Sequence, residues 1–391
     1  MRVLVAHNRY RSGSPSGENL AVDLEVALLR EAGVEVAEVR RSSDDVATAS
    51  PAALLAAGLG PVYDRQGVRD FAEALDAFRP DVVHCHNLYP LLSPQVIRLA
   101  RRRGLPVVHT VHNYRRRCMN GYYFRAGGPC TACTGPWGPL PGVAHGCYRG
   151  SRVQSAAIAA SLLAHRATWD GVSLHLAVSR CVAASLLDTG VPAARVAVKP
   201  NPVVDPGPPL PAGDTVVHAG RLEPAKGTAL LLDAWRASGA RSRLVLEVYG
   251  DGPDRDLVVA AAAADPSIRY RGLRPRPEVV EAMRRSRLVV VPSAWPEAFG
   301  LVAVEALACA RPVVACRVGA LPEIVTDEVG WLADPRPDAL ASVLEGAAGA
   351  PDLEARGAAA RARYLTRYTP AACTAELLER YRALVPTGSP S

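Results

Sequence analysis

Six prolines crowd into the stretch "KPNPVVDPGPPLPAGD", which runs from Lys199 to Asp214. No helix interior or central strand tolerates that density, because each proline fixes φ and removes an N–H donor. The stretch must be a linker, and it divides the chain into two halves of the same texture. Before it, the β-like runs "VLVAH", "VEVAEV", "DVVHCH", "PVVHTV" and "SLHLAVS" alternate with helical segments. The clearest of these is amphipathic, from about Glu18 to Ala32. After it the pattern restarts with "TVVHAG", "RLVLEVYG", "IRYRG", "RLVVVPS" and "RPVVAC". Alternating β and α elements imply parallel sheets with right-handed crossovers. The chain therefore predicts an α/β protein of two Rossmann-like, doubly wound domains facing across a cleft. The expected divisions are residues 1–204, 205–370 and a closing segment 371–391. That last segment holds a helix from about Ala371 to Leu384, expected to pack back on the first domain.

A length of 391 residues suits two domains. With 49% hydrophobic and 21% charged residues, the composition is that of a globular protein in water. No apolar run approaches the roughly 20 residues that span a bilayer. The start "MRVLVAHNRYRSG" is too short in apolar residues for a signal peptide and reads as the first strand of a cytoplasmic protein. The net charge of +7 lies wholly in residues 1–205, which hold 23 Lys+Arg against 16 Asp+Glu. The triplets Arg101-Arg102-Arg103 and Arg115-Arg116-Arg117 contribute to it. Such an excess suits an anionic ligand or peripheral association with an anionic membrane, or it merely solvates exposed helix faces. No helix-turn-helix, finger or stacking platform accompanies it, so nucleic acid is not an expected partner.

In open α/β sheets ligands bind beyond the carboxyl ends of the strands, so residues just after strands are the candidates. After "TVVHAG" comes "GRLEPAKG", where Arg221 and Lys226 flank a turn containing Pro224. Two cations among glycines suit a diphosphate, which needs charge and room for backbone N–H groups. Of 45 basic residues only Lys199 and Lys226 are lysine, so Lys226 stands out as a compact point charge. After "RLVVVPS" comes "WPEAFGLVAVEALA", with Glu297 in a loop, Gly300 at a helix start and Glu305 inside that helix. An acid/base pair is the first reading of two carboxylates so placed. Their positions argue against it, because they address different parts of one ligand. The helix N-terminus between them suits an anion.

These stretches carry a resemblance. "PEAFGLVAVE" matches the E-x7-E signature of the family 4 retaining glycosyltransferases, and "GRLEPAKG" resembles their diphosphate-binding loop. "VYGDGP", "KPNPVVD" and "GALPEIV" also look like that family's turns, linker and late helix. The resemblance runs nearly the whole length and implies the GT-B fold, with a nucleotide-sugar donor on the C-terminal domain and a hydroxyl acceptor on the N-terminal one. It further implies that Glu305 binds ribose hydroxyls and Glu297 the donor sugar. The N–H groups of Phe299, Gly300 and Leu301 would hold sugar and phosphate. Arg221 and Lys226 would neutralise the diphosphate leaving group. Gly17, in "SPSGEN", resembles a phosphate-covering loop that more often has two adjacent glycines. His112, in "HTVHN", matches the family's active-site histidine. The implied reaction is same-face substitution that requires no cofactor. The basic first domain favours a lipid-linked or polysaccharide acceptor, with a small soluble molecule as the alternative. A nucleotide-sugar epimerase of the same architecture and a non-catalytic sugar-nucleotide-binding protein are the competing readings.

The other strand-end histidines, His84, His86 and His109, do not form a metal signature by spacing, and His84 and His109 read as core or supporting groups. Nine cysteines include four in a Gly- and Pro-rich insertion at about 115–150: Cys118, Cys130, Cys133 and Cys147. They resemble an insertion found in a subgroup of the same family. Four thiolates could hold a structural zinc; reduced structural thiols or disulfides are the alternatives.

Overall fold

The computed structural model describes residues 1–10, 16–47 and 60–385. It separates into two compact units. The first is Met1–Tyr123, Thr131–Pro202 and Pro370–Ser391; the second is Phe124–Cys130 and Val203–Thr369. No helix among the described residues is long and apolar enough to cross a membrane.

The first unit is built on strands β1 (Arg2–Arg9), β2 (Glu35–Ser42), β3 (Val82–Cys85), β4 (Val107–Val111), β7 (Leu174–Ala177) and β8 (Val196–Val198). They form one parallel sheet in the order β2-β1-β3-β4-β7-β8. Alternation along β1 decides what each face buries. Leu4 and Ala6 face a core with Phe71, Leu92, Ile97 and Trp169, whereas Val3 and Val5 face one with Val26, Leu29, Leu377 and Tyr381. Leu377 and Tyr381 come from the closing helix Pro370–Leu384, so that helix completes the second face of this sheet. The short ribbon β5 (Phe124–Arg125) and β6 (Gly128–Pro129) is antiparallel.

The second unit repeats the plan with β9 (Thr215–Ala219), β10 (Val245–Tyr249), β11 (Ile268–Gly272), β12 (Leu288–Val291), β13 (Val313–Cys316) and β14 (Gly330–Ala333). The parallel order is β11-β10-β9-β12-β13-β14. Val216, Leu246, Val290 and Val314 pack on Leu232 and Trp235 of helix Thr228–Ala237 and on Leu340 and Leu344 of helix Pro337–Ala348. In each unit the chain reverses its direction of travel across the sheet at one place: between β1 and β3, and between β9 and β12. The crevice at such a switch point is where a doubly wound sheet receives a ligand.

Candidate functional site

The second unit puts its candidate residues at that switch point. Lys226 follows β9, in the turn Pro224–Lys226, and Glu297 follows β12. Lys226 Nζ lies 2.6 Å from Glu297 Oε1 and 5.2 Å from the centre of the Trp295 ring. Ser293 Oγ donates to the same carboxylate oxygen at 2.6 Å. Glu297 is only 6% exposed, and its ion pair with Lys226 offsets the cost of burying the carboxylate.

Two glycines hold these loops. Gly227 has φ +74°, and a Cβ there would lie 1.9 Å from the carbonyl oxygen of Pro292. Gly319 has φ +55°, and a Cβ would lie 2.3 Å from both N and O of Glu297. The adjacent Ala320 N–H donates to Glu297 O at 2.8 Å.

Arg221 is turned to Glu223, 3.0 Å away, and remains half-exposed. Gly300, with φ +85°, opens helix Leu301–Ala308 without a side-chain cap. The first N–H groups of a helix have no intrahelical acceptor, so those near Gly300 and Leu301 are suited to an anion. Phe299 packs edge-on to Tyr368 with ring centres 6.2 Å apart. Glu305, 8% exposed, points from the same helix to Arg276, whose Nη2 is 2.6 Å away. Burial pushes the Glu305 carboxyl above its usual range while Arg276 opposes the shift. The structure thus brings Lys226 and Glu297 into contact and gives Glu305 a separate cation. Ser293, Trp295 and Arg276 are additions that sequence reasoning did not single out. Arg276 has no distinguishing signal among 43 arginines.

In the first unit, Gly17 begins helix Gly17–Glu31, capped by Ser16, whose side chain accepts from Asn19 N–H at 3.3 Å. Of the loop before it, residues 11–15 lie outside the described residues. His112 follows β4, and its Nε2 meets His86 Nδ1 at 3.1 Å. His86 in turn approaches Glu25 Oε1 at 3.4 Å, as does His84 Nδ1 at 3.3 Å. Lys199 Nζ, 1% exposed, sits 2.5 Å from Glu25 Oε2. Burial keeps the imidazoles neutral, lowering His84 to about 4 and His112 to about 3.

Glu25, His84 and His86 have ligand-type atoms within 4.8 Å of one another. Yet His84 Nδ1 is hydrogen-bonded with the Tyr381 hydroxyl at 2.6 Å, and the Lys199 ammonium already neutralises Glu25. Glu25 Oε1 and His86 Nε2 have no hydrogen-bond partner among the described residues, but a second cation between them would face that ammonium, which disfavours a metal cage. Glu25 and Lys199 escaped the sequence reading as a pair. The scarcity of lysine was a signal that pointed to Lys199 as much as to Lys226.

All nine cysteines are reduced thiols. Cys118, Cys130, Cys133 and Cys147 do not converge as a ligand set within 4.8 Å among the described residues. The Cys118 thiol donates to Asn120 Oδ1 at 3.0 Å, and burial raises its pKa. Cys133 and Cys147 pack against the first unit's core. This arrangement does not fit a closed zinc site, which needs four converging thiolates.

Two family models match the chain: a glycosyl transferase 4-like domain over residues 9–202 and the glycosyl transferases group 1 domain over residues 213–348. A D-inositol 3-phosphate glycosyltransferase of Segniliparus rotundus is 36% identical over 191 residues, covering 46% of this chain and 42% of that protein. A GDP-mannose-dependent alpha-(1-6)-phosphatidylinositol dimannoside mannosyltransferase of Mycobacterium tuberculosis is 35% identical over 149 residues, 37% of this chain and 38% of the other. The matched stretches thus span less than half the length of these relatives. In structure, sucrose-phosphate synthase from Thermosynechococcus elongatus matches with a TM-score of 0.73 at 20% identity, over 98% of both chains. Anabaena HepE in complex with UDP matches at 0.67 and 18% identity, over 98% of this chain and 100% of that one. Two doubly wound units in the GT-B arrangement of elements, matched along both halves by these models, make the chain a member of the family 4 (group 1) glycosyltransferases.

Proposed function

We propose that the chain is a retaining glycosyltransferase. It moves a sugar from a nucleotide-diphosphate donor, a UDP- or GDP-sugar, to a hydroxyl acceptor in polysaccharide, glycolipid or other glycoconjugate synthesis. The observation that carries this reading is the Lys226–Glu297 pair, 2.6 Å apart at the switch point of the second unit. An ammonium and a carboxylate held together at a ligand crevice are poised to part, one to a diphosphate and the other to sugar hydroxyls. Glu305, with Arg276 beside it, stands where ribose hydroxyls would be read. The N-terminus of helix Leu301–Ala308 faces the phosphates.

In the reaction the bond from the anomeric carbon to the β-phosphate oxygen breaks, and a bond to the acceptor oxygen forms on the same face. The acceptor proton passes to the departing phosphate oxygen. Arg221 and Lys226 stabilise the negative charge that develops there, which is the largest contribution expected in such a transfer. His112, neutral through burial, stands just after β4 in the first unit and can orient a hydroxyl without competing for the proton. The relatives' named acceptors, inositol phosphate and a phosphatidylinositol mannoside, support a polyol or glycolipid acceptor.

The test is nucleotide release from a panel of UDP- and GDP-sugars with purified protein, followed by analysis of the product. Lys226→Ala and Glu297→Ala should each lower kcat at least about 100-fold, the scale of losing one transition-state charge partner. Near-wild-type turnover in either folded variant would refute the assignment. An epimerised donor without transfer would make the chain an epimerase, and binding without turnover would make it a silent binder.

A further inference from the structure

A small pocket in the first unit, open to solvent, lies beside His112. Arg115, Arg116, Trp169, His109 and Glu18 also line it. Its polar atoms are unevenly satisfied. Arg115 Nε, Arg116 Nη1 and Trp169 Nε1 are all buried without a hydrogen-bond partner. All three are N–H donors, and buried donors are costly to leave unpaired, so three of them on residues that line one cavity call for an acceptor.

The two guanidiniums differ in their company. Arg115 lies over the Tyr148 ring at 5.4 Å and feels the charge of Glu18, which accepts from Tyr10 and Asn113. Arg116 lies over the Trp169 ring at 5.1 Å, and burial depresses its pKa to about 10. Among the described residues neither arginine has a carboxylate within ion-pair distance, whereas the neighbouring Arg117 pairs with Asp188 at 2.6 Å. Trp169 is 5% exposed, and its ring is held by His109, 4.8 Å between centres. Arg116 feels the Asp170 carboxylate only beyond ion-pair distance, so the less compensated positive charge is at the Arg116–Trp169 end, away from Glu18.

We infer that this pocket binds a phosphate group of the acceptor, held by Arg116 Nη1, Arg115 Nε and Trp169 Nε1. This deepens the reading that the first unit receives the acceptor. It makes that acceptor a phosphorylated molecule whose reacting hydroxyl is presented near His112. A planar guanidinium with an indole donor beside it is suited to a tetrahedral oxyanion, and a neutral polyol would leave the charge unmatched.

The full chain is titrated by calorimetry with inorganic phosphate at constant ionic strength, with UDP and GDP titrated separately. Wild-type protein should show saturable one-to-one phosphate binding in the millimolar range, as about one group's worth of charge-assisted bonds provides. Arg116→Gln should weaken it at least about tenfold, and Trp169→Phe, which keeps the ring and removes only the donor, about threefold. Arg117→Gln should leave it unchanged. Affinity for the nucleotide should stay within about twofold of wild type in all variants, which certifies that they fold.

Phosphate binding that does not saturate by about 50 mM, that survives Arg116→Gln, or that UDP or GDP abolishes would overturn the inference. Failure of both nucleotides to bind would count against the proposed transfer while leaving the phosphate result standing. Two further ligands separate the sources: glycerol 3-phosphate in solution and hexadecyl phosphate in micelles. Tighter, Arg116-dependent binding of the first identifies a soluble phosphorylated acceptor, and of the second a lipid phosphate. Independence from Arg116 in both arms contradicts the site.

Discussion

A buried ammonium is stable in a protein only where a carboxylate and hydrogen bonds replace its water. Lys199 meets that requirement through Glu25, itself 6% exposed, whose other oxygen lies 3.3 Å from His84 and 3.4 Å from His86. Burial pushes the Glu25 carboxyl up, but Lys199 and His84 more than offset it, so the group stays ionised. The pair ties helix Gly17–Glu31 to the chain just after β8, and Tyr381 ties the closing helix to His84. Lys199→Met should leave the Glu25 charge buried and unpaired, lowering unfolding free energy by about 3–5 kcal/mol. Adding Glu25→Gln should restore part of that loss, because the double variant removes the stranded charge as well. Urea unfolding of both variants is the check. A loss below about 1 kcal/mol in Lys199→Met would mean the pair is dispensable.

Among the elements, the connections carry the site, and Gly319 is the position where backbone and function meet. Its φ of +55° and the closeness of Glu297 leave no room for a Cβ. Gly319→Ala should therefore displace the loop that aims Glu297, cutting turnover about 10-fold or more at a stability cost of about 1–3 kcal/mol. Gly346, inside helix Pro337–Ala348, has nothing within 4 Å of an added Cβ. Gly346→Ala should instead stabilise by about 0.5–1 kcal/mol and leave turnover unchanged. Thermal melts and nucleotide-release rates on the two variants separate the effects. Equal turnover in both would show that the Glu297 loop tolerates displacement.

The interior strands were legible because buried parallel strands read as short runs of Val, Ile and Leu, as "LVVV" and "VVHTV" do. The edge strands β8, "VAV", and β14, "GWLA", escaped because three residues, or a run opened by glycine, fall below any periodic signal. Glu297 and Lys226 were legible because both follow interior strands. Their direct contact was not, since it depends on which strands become neighbours. The Arg276–Glu305 pair was hidden for the same reason: the two residues come from different helices.

Across the whole molecule, the histidines are distributed as unevenly as the charge. Eight of the nine histidines lie in the first unit, and in seven of them, His7, His84, His86, His109, His112, His165 and His175, the pKa is lowered, first of all by burial. The second unit holds one histidine, His218, lowered to about 4. An unfolded histidine takes up its proton near pH 6.5, whereas His7 and His84 wait until about 4 and His112 and His175 until about 3. Between those limits the unfolded chain binds more protons than the folded one, so stability is complete above about pH 6.5 and falls as the pH drops. Each such histidine contributes up to about 1.4 kcal/mol per pH unit inside its own window. Glu25, with its lowered pKa, adds in the same sense at lower pH, and Glu18, raised by burial, opposes. Asp64, also raised by burial, opposes as well, and two opposing carboxyls do not balance seven histidines. Acidification from pH 7 to 5 should therefore open the first unit well before the second. Hydrogen exchange followed by mass spectrometry, corrected for the intrinsic pH dependence of exchange, reads the two units separately. Protection should fall in β1, β3 and β4 while β9, β12 and β13 keep theirs. Parallel loss in both units, or protection of β3 and β4 that is flat over this range, would show that the buried histidines are protonated in the folded protein after all.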